Sequence, residues 1–172
     1  MLTYLGVGLV IALIYFGITW AISVRIRNYG LLDAAWSYGI AMLAPIYAVF
    51  GTGYFPRRWM ATAIGVAWSL RLGTYILSRV LKHHPMEDVR YETLRRKWPG
   101  NGMFLVFFEL QAVVAVIFSI PFLLASFNPE PRLKGVEVVG LAIALLSLEE
   151  ARWPGAIDHA APARTLPSQV LK

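Results

Sequence analysis

Cysteine is absent from all 172 residues, which excludes a disulfide framework, a thiolate nucleophile and any zinc or iron–sulfur site built on Cys. Charge is scarce. Asp, Glu, Lys and Arg make up 15% of the chain against 58% hydrophobic residues, too few polar side chains to cover the core of a soluble domain. Histidine is limited to three, and the adjacent His83 and His84 point apart with no third ligand nearby, so no metal site is expected. What fills the space is apolar text, with a mean hydropathy of +0.58. The chain reads as an integral membrane protein, an all-α polytopic transmembrane helix bundle of four to five spans. Its net charge of +6 does not point to nucleic acid, because the bases fall in short segments between apolar runs, as positive-inside topology requires.

The runs can be placed in order. Residues 1–23 carry no charge and suffice, at ~1.5 Å per residue, to cross a ~30 Å hydrocarbon core. No base precedes this run and Arg25 and Arg27 follow it, so it reads as a retained first span rather than a cleaved signal peptide. Asn28, Tyr29 and Gly30 form a turn into the second span, 31–50. The Gly51, Gly53 and Pro56 cluster is expected to break the helix before a third span, 59–81. A charged loop, 82–102, leads to a fourth span, 103–127, interrupted by Glu109, Gln111 and Pro121, the proline being a tolerated kink. A shorter apolar run covers 136–148, and 149–172 reads as an irregular tail, since Pro154, Pro162 and Pro167 permit neither helical nor strand periodicity.

Arg25, Arg27, Arg79, Lys82, Arg90, Arg95, Arg96, Lys97, Arg152, Arg164 and Lys172 fall on one side of these spans, and only Arg57, Arg58, Arg132 and Lys134 on the other. The bias predicts a cytoplasmic 82–102 loop with the N-terminus outside, as in a bacterial inner membrane. Arg71 lies between the two sides, in apolar text where a charge costs about 2.5 to 3.5 kcal/mol, so it should face a bundle interior or a polar cavity. Asp33, Arg71 and Glu109 all belong to the cytoplasmic half, and Trp68, Arg71, Tyr75 and Ser78 or Arg79 share one face of the third span. A polar chamber open to the cytosol follows. An Arg71 to Glu109 ion pair that merely joins two spans is the plain alternative, compatible with the chamber. Trp36, Trp59 and Trp98 read as interfacial anchors.

Four pieces carry a family resemblance. They are Asp33-x-x-Trp36; Trp68-x-x-Arg71-Leu72 with Tyr75 and Arg79; Glu87-Asp88-x-Arg90-Tyr91; and Phe107 to Gln111 followed by Ser119-x-Pro121. Over Leu31 to Glu149 the chain resembles the bacterial DUF1295 proteins, relatives of the steroid 5-alpha-reductase C-terminal domain. The resemblance implies a membrane reductase that uses NADPH to saturate a carbon–carbon double bond conjugated to a carbonyl in a lipid-like substrate. For that chemistry Tyr75, Arg71 and Glu109 are the candidate catalytic set, with Tyr75 donating to the carbonyl oxygen because it shares Arg71's face one turn nearer the cytosol. Arg79 and Arg90 would hold phosphate, Asp88 would orient Arg90, and Tyr91 would stand at the cofactor mouth. Family members continue with a Gly-Leu-Trp-x-Tyr-Ser-Arg-His-Pro-Asn-Tyr type segment associated with cofactor binding, and the text after Glu150 departs from it. The chain is therefore expected to be a fragment or frame-shifted product that binds NADPH poorly.

Two readings from other classes stand beside the reductase. One is a membrane methyltransferase of the isoprenylcysteine type, which would prefer S-adenosylmethionine to NADPH. The other is a non-enzymatic membrane subunit or lipid-binding bundle in which Arg71 and Glu109 only hold helices together. Neither substrate identity nor oligomeric state is written in the sequence.

Overall fold

The computed structural model describes residues 1–98 and 100–150, all of whose regular structure is helical. The helices are α1 (Leu2–Ile26), α2 (Leu31–Phe50), α3 (Phe55–His83), α4 (Val89–Lys97), α5 (Asn101–Phe127) and α6 (Gly135–Glu150). Four of them, α1, α2, α3 and α5, are long and apolar enough to cross a membrane. The irregular tail expected from residue 149 lies, beyond Glu150, outside the described residues.

The centre of the bundle is α2, which packs against α1, α3 and α5. Lipid tails are as apolar as leucine, so helices in a membrane associate through close packing rather than hydrophobic expulsion from water. Small residues supply that closeness, and Ala34, Ala35, Gly39, Ala41, Ala44 and Ala48 of α2 are all buried. By contrast α1 presents Val7, Val10, Ile14, Ile18 and Ile22 outward at helical spacing, the stripe of a lipid-facing helix. Between the two, Phe16, Leu43, Tyr47, Phe104 and Phe108 fill the core.

Two boundaries differ from expectation for physical reasons. Pro56 does not break the chain: it sits in the first turn of α3, where the missing N–H has no intrahelical partner to lose, so the helix starts at Phe55. The break is made at 51–54, where Gly53 N–H donates to Ser126 O (2.9 Å) and Tyr54 N–H to Asn128 O (2.9 Å). A side chain at Gly51 or Gly53 would collide with that backbone. The 82–102 segment is not simply a loop, because Asp88 accepts the Arg90 N–H and so starts the nine-residue α4. As expected of the short fifth run, α6 with 16 residues spans ~24 Å, short of a ~30 Å core, and among the described residues it packs chiefly against α3. The buried Arg57 ties it there, reaching Glu137 (Nε to Oε1, 2.5 Å) and the carbonyls of Glu130 and Arg132.

Candidate functional site

At the α4 end of the bundle the chain reverses twice, and the two reversals are clamped together. After α1, Arg27 adopts a left-handed conformation (φ 57°) that ends the helix, and Asn28 Oδ1 accepts the Gly30 N–H (2.9 Å) to turn the chain. This leaves Tyr29 N–H pointing at Glu87, whose Oε1 accepts it at 2.6 Å. Arg95 closes the clamp by pairing with Glu87 (2.9 Å) and lying over the Tyr29 ring (4.7 Å), which itself stacks on Phe104 at 3.8 Å. Burial of the Tyr29 phenol raises its pKa above the usual 10.0, against the pull of the Arg95 guanidinium and with a smaller push from Glu87. The clamp fixes α4 across the mouth of the bundle.

Beneath α4 lies a cavity of about 530 Å³ between α2, α3, α4 and α5. Its walls are Leu32, Trp36, Leu72, Ile76 and Phe107, which are apolar, and Asp33, Ser37, Arg79, Arg90, Tyr91 and Gln111, which are not. Four of the polar groups form one network. Asp33 Oδ1 accepts from Tyr91 O–H and Asp33 Oδ2 from Arg90 Nη2, each at 2.8 Å. Asp88 accepts from the Arg90 backbone N–H (2.9 Å) and from Arg90 Nε and Nη2 (3.1 Å each), and pairs with Arg79 at 3.6 Å.

The protonation states follow from these contacts. Hydrogen bonds from Arg90 hold the Asp88 carboxyl below its usual range, and the same bonds, with Asp33, raise the Arg90 pKa. Burial first, and then the neighbouring Asp33 carboxylate, push the Tyr91 phenol well above 10.0, so it stays a neutral hydroxyl. Two carboxylates and two guanidiniums balance, and a protonated tyrosine stands between them and the apolar walls. Such a site can bind an amphipathic molecule by its polar end while its body contacts leucine, tryptophan and phenylalanine.

The seven residues assigned from sequence divide sharply. Arg79, Arg90 and Tyr91 line the cavity and Asp88 anchors two of them. Tyr75 does not: its side chain is exposed, on the face of α3 turned away. The cavity meets instead Leu72, Ile76 and Arg79, the adjacent face at the same spacing. Arg71 is half-buried outside the cavity wall, and no ion pair joins it to Glu109 among the described residues. Glu109 faces α1, with Oε1 against Gly17 and Oε2 buried without a hydrogen bond to the described residues. Trp68 lines a second, apolar groove between α3, α5 and α6, and Trp36 is a cavity wall rather than only an interfacial anchor. Sequence reasoning placed Asp33 at the right depth without giving it a role, and gave Ser37 none. The signal for Asp33 was its place in the same family pattern as Arg90 and Tyr91.

No group of three or more His, Cys, Asp or Glu suited to a metal ion occurs among the described residues. Residues 19–152 match the family model described as "Protein of unknown function (DUF1295)", and the chain belongs to that family. No curated protein and no solved structure matches it. The pieces that carry the family resemblance converge in space: Asp33, Trp36, Leu72, Arg79, Arg90, Tyr91, Phe107 and Gln111 all line the one cavity.

Proposed function

We propose that the chain is built as an integral membrane oxidoreductase of the steroid 5-alpha-reductase-like type, which uses NADPH to reduce a C=C bond conjugated to a carbonyl in a lipid-like substrate, with NADPH held weakly because the text after Glu150 departs from the family's cofactor segment. The observation that carries this reading is the two-ended cavity: apolar walls of enzyme-pocket volume meeting, at one end, a buried tyrosine hydroxyl held by Asp33. The distribution of bases supports placing that end in the cytoplasm, where a soluble cofactor is available.

The residues at the mouth fit the phosphate groups of such a cofactor. The Arg79 and Arg90 side chains are 59% and 64% exposed, and Arg79 touches Asp88 only at 3.6 Å, so guanidinium N–H groups remain to be offered. NADPH, when bound, supplies the hydride for the β-carbon. Tyr91 exchanges its bond to Asp33 for one to the substrate carbonyl oxygen, where charge develops as the β-carbon is reduced. Arg90 keeps Asp33 compensated during that exchange. The proton for the α-carbon comes from water at the exposed mouth. Tyr91 takes the donor role that helical spacing had given to Tyr75.

The test is NADPH oxidation at 340 nm by the chain in lipid nanodiscs, with a panel of hydrophobic α,β-unsaturated ketones. Tyr91→Phe should lower turnover by on the order of 100-fold with NADPH affinity kept, as loss of one donor at a developing oxyanion does. Arg79→Ala should weaken NADPH binding instead. Binding of S-adenosylmethionine with methyl transfer would move the chain to the isoprenylcysteine-type methyltransferases. A second reading has one observation in its favour: the network is charge-balanced and would by itself clasp α4 onto α2. In that case the chain is a lipid-binding or structural bundle, and it binds neither cofactor.

A further inference from the structure

The apolar groove between α3, α5 and α6 lies apart from the α4 cavity and shares no lining residue with it. On α3 it follows one face, Arg57, Met60, Ala61, Ile64, Gly65 and Trp68, spaced by one, three or four over eleven residues, so it is ~16 Å long. Its volume of about 420 Å³, spread over that length, leaves a channel of about 26 Å² in section. An α-helix about 10 Å across needs about 80 Å². The occupant is therefore thinner than a helix. An extended peptide is thin enough, but it would bring backbone N–H and C=O groups into apolar surroundings with nothing to bond them. A hydrocarbon chain carries no such groups.

One end of the groove is polar. Arg57 and Glu137 line it there and spend their charges on each other, while Arg57 Nη2 donates to Arg132 O (2.6 Å) and Lys134 N–H to Glu137 Oε2 (2.7 Å). These bonds hold the 132–134 backbone at that end. The Arg132 and Lys134 side chains are exposed and make no ion pair among the described residues. Arg57, Arg58, Arg132 and Lys134 stand against only Glu130 and Glu137 in these two segments, so the end of the groove is left positive. An apolar channel with unspent cations at its mouth matches an anionic amphiphile with a single chain inside.

We propose that this groove holds one acyl chain of an anionic phospholipid of the bilayer, with the lipid phosphate at Arg132 and Lys134. The lipid fills the seam beside α6, which otherwise packs chiefly against α3. The proposal stands apart from the reductase reading and does not depend on it.

The experiment uses phosphatidylcholine nanodiscs doped with a phospholipid that carries a photoreactive diazirine at mid-chain and either a phosphatidylglycerol or a phosphatidylcholine head. After irradiation, adducts are mapped by mass spectrometry, with the outward stripe Val7, Val10, Ile14 and Ile18 of α1 as the reference for random lipid contact. Relative to that stripe, labelling of 60–68 and 137–144 should be about tenfold higher with the phosphatidylglycerol probe than with the phosphatidylcholine probe. Arg132→Gln with Lys134→Gln should bring the two probes to parity, and at these exposed positions folding is not at stake. Gly140→Leu puts a side chain where a Cβ meets nothing within 4 Å, so it should lower groove labelling several-fold and leave the α1 stripe unchanged. Groove labelling that does not exceed the α1 stripe, or that is the same for both probes in the wild type, refutes the proposal.

Discussion

Replacing Asp33 by alanine removes the acceptor shared by Tyr91 and Arg90, and its cost can be worked out from the geometry. Tyr91 is 4% exposed, so its hydroxyl, deprived of the 2.8 Å bond, has no water to turn to. Leaving a buried donor unsatisfied costs roughly 1 to 3 kcal/mol. The Arg90 ion pair adds little, because that guanidinium is 64% exposed and keeps its bonds to Asp88; solvent screening leaves at most ~0.5 kcal/mol. The sum is about 2 kcal/mol, or on the order of a 30-fold rise in the opening of α4 from the bundle. Hydrogen exchange of the 89–97 amides in nanodiscs reads this directly. Asp33→Asn keeps an acceptor for Tyr91 and should speed exchange only a few-fold. Tyr91→Phe removes donor and not acceptor, and Asp33 still holds Arg90, so it should also cost less than Asp33→Ala. If α4 exchanges at the wild-type rate in Asp33→Ala while the α1 and α2 amides stay protected, Asp33 does not hold α4 down and the network is not what fixes the cavity mouth.

Acid should release α4 by a second route. The Asp88 pKa is depressed in the fold by Arg90, so its contribution is present above the ordinary carboxylate pKa of about 3.9 and is lost as pH falls below that through the folded value. Exchange of α4 should therefore accelerate below about pH 4 in the wild type and show no such step in Asp88→Asn. Tyr91 gives the opposite sign: its pKa is raised, so its contribution is full below pH 10.0 and declines as pH climbs above that, which the difference in phenolate absorbance at 295 nm between the wild type and Tyr91→Phe will show as a late-titrating group. Gly8 packs against the Tyr47 hydroxyl, so Gly8→Ala should destabilise the bundle by roughly 1 to 3 kcal/mol, and Tyr47→Phe should relieve it in part; an unchanged melting temperature in Gly8→Ala refutes the close approach. Arg71→Leu and Glu109→Leu should be additive in thermal stability to within about 0.5 kcal/mol, since among the described residues no ion pair joins these two side chains to each other.

Much of the fold was legible because membrane helices announce themselves by length. The second span, 31–50, has the bounds of α2, and the others differ by no more than four residues at either end. The misses have local causes. Pro56 was weighed as a breaker because a proline's effect depends on whether it falls inside a helix or in its first turn, and the run of apolar residues after it does not say which. The nine residues of α4 are too polar to show as an apolar run and too short to form alone, so only the Asp88 cap and the Glu87 and Arg95 clamp to the α1–α2 turn make them a helix. Burial order was also unreadable: α2 is less hydropathic than α1, yet it is the central helix, because small residues rather than strongly apolar ones bring membrane helices together.

The site was half legible, and the half that was lost turns on one choice of face. On α3 two stripes recur at helical spacing, Trp68 with Arg71, Tyr75 and Ser78, and Leu72 with Ile76 and Arg79. The intramembrane charge drew the eye to the first stripe, on the argument that an expensive arginine must serve the chamber. That argument fixes only that Arg71 has some polar surrounding, and the bundle supplies surroundings on more than one side, since α2, α5 and α6 all pack against α3. The α4 residues were readable for the opposite reason. Glu87, Asp88, Arg90 and Tyr91 are close in sequence, so whichever way the bundle packs they arrive together, and Asp33, 57 residues away along the chain from Arg90, is the long-range acceptor they need. A charged pair brought together by tertiary packing is invisible in single-sequence spacing, although Asp33-x-x-Trp36 and Glu87-Asp88-x-Arg90-Tyr91 both stand among the pieces that carry the family resemblance. The cavity is the place where those two pieces meet.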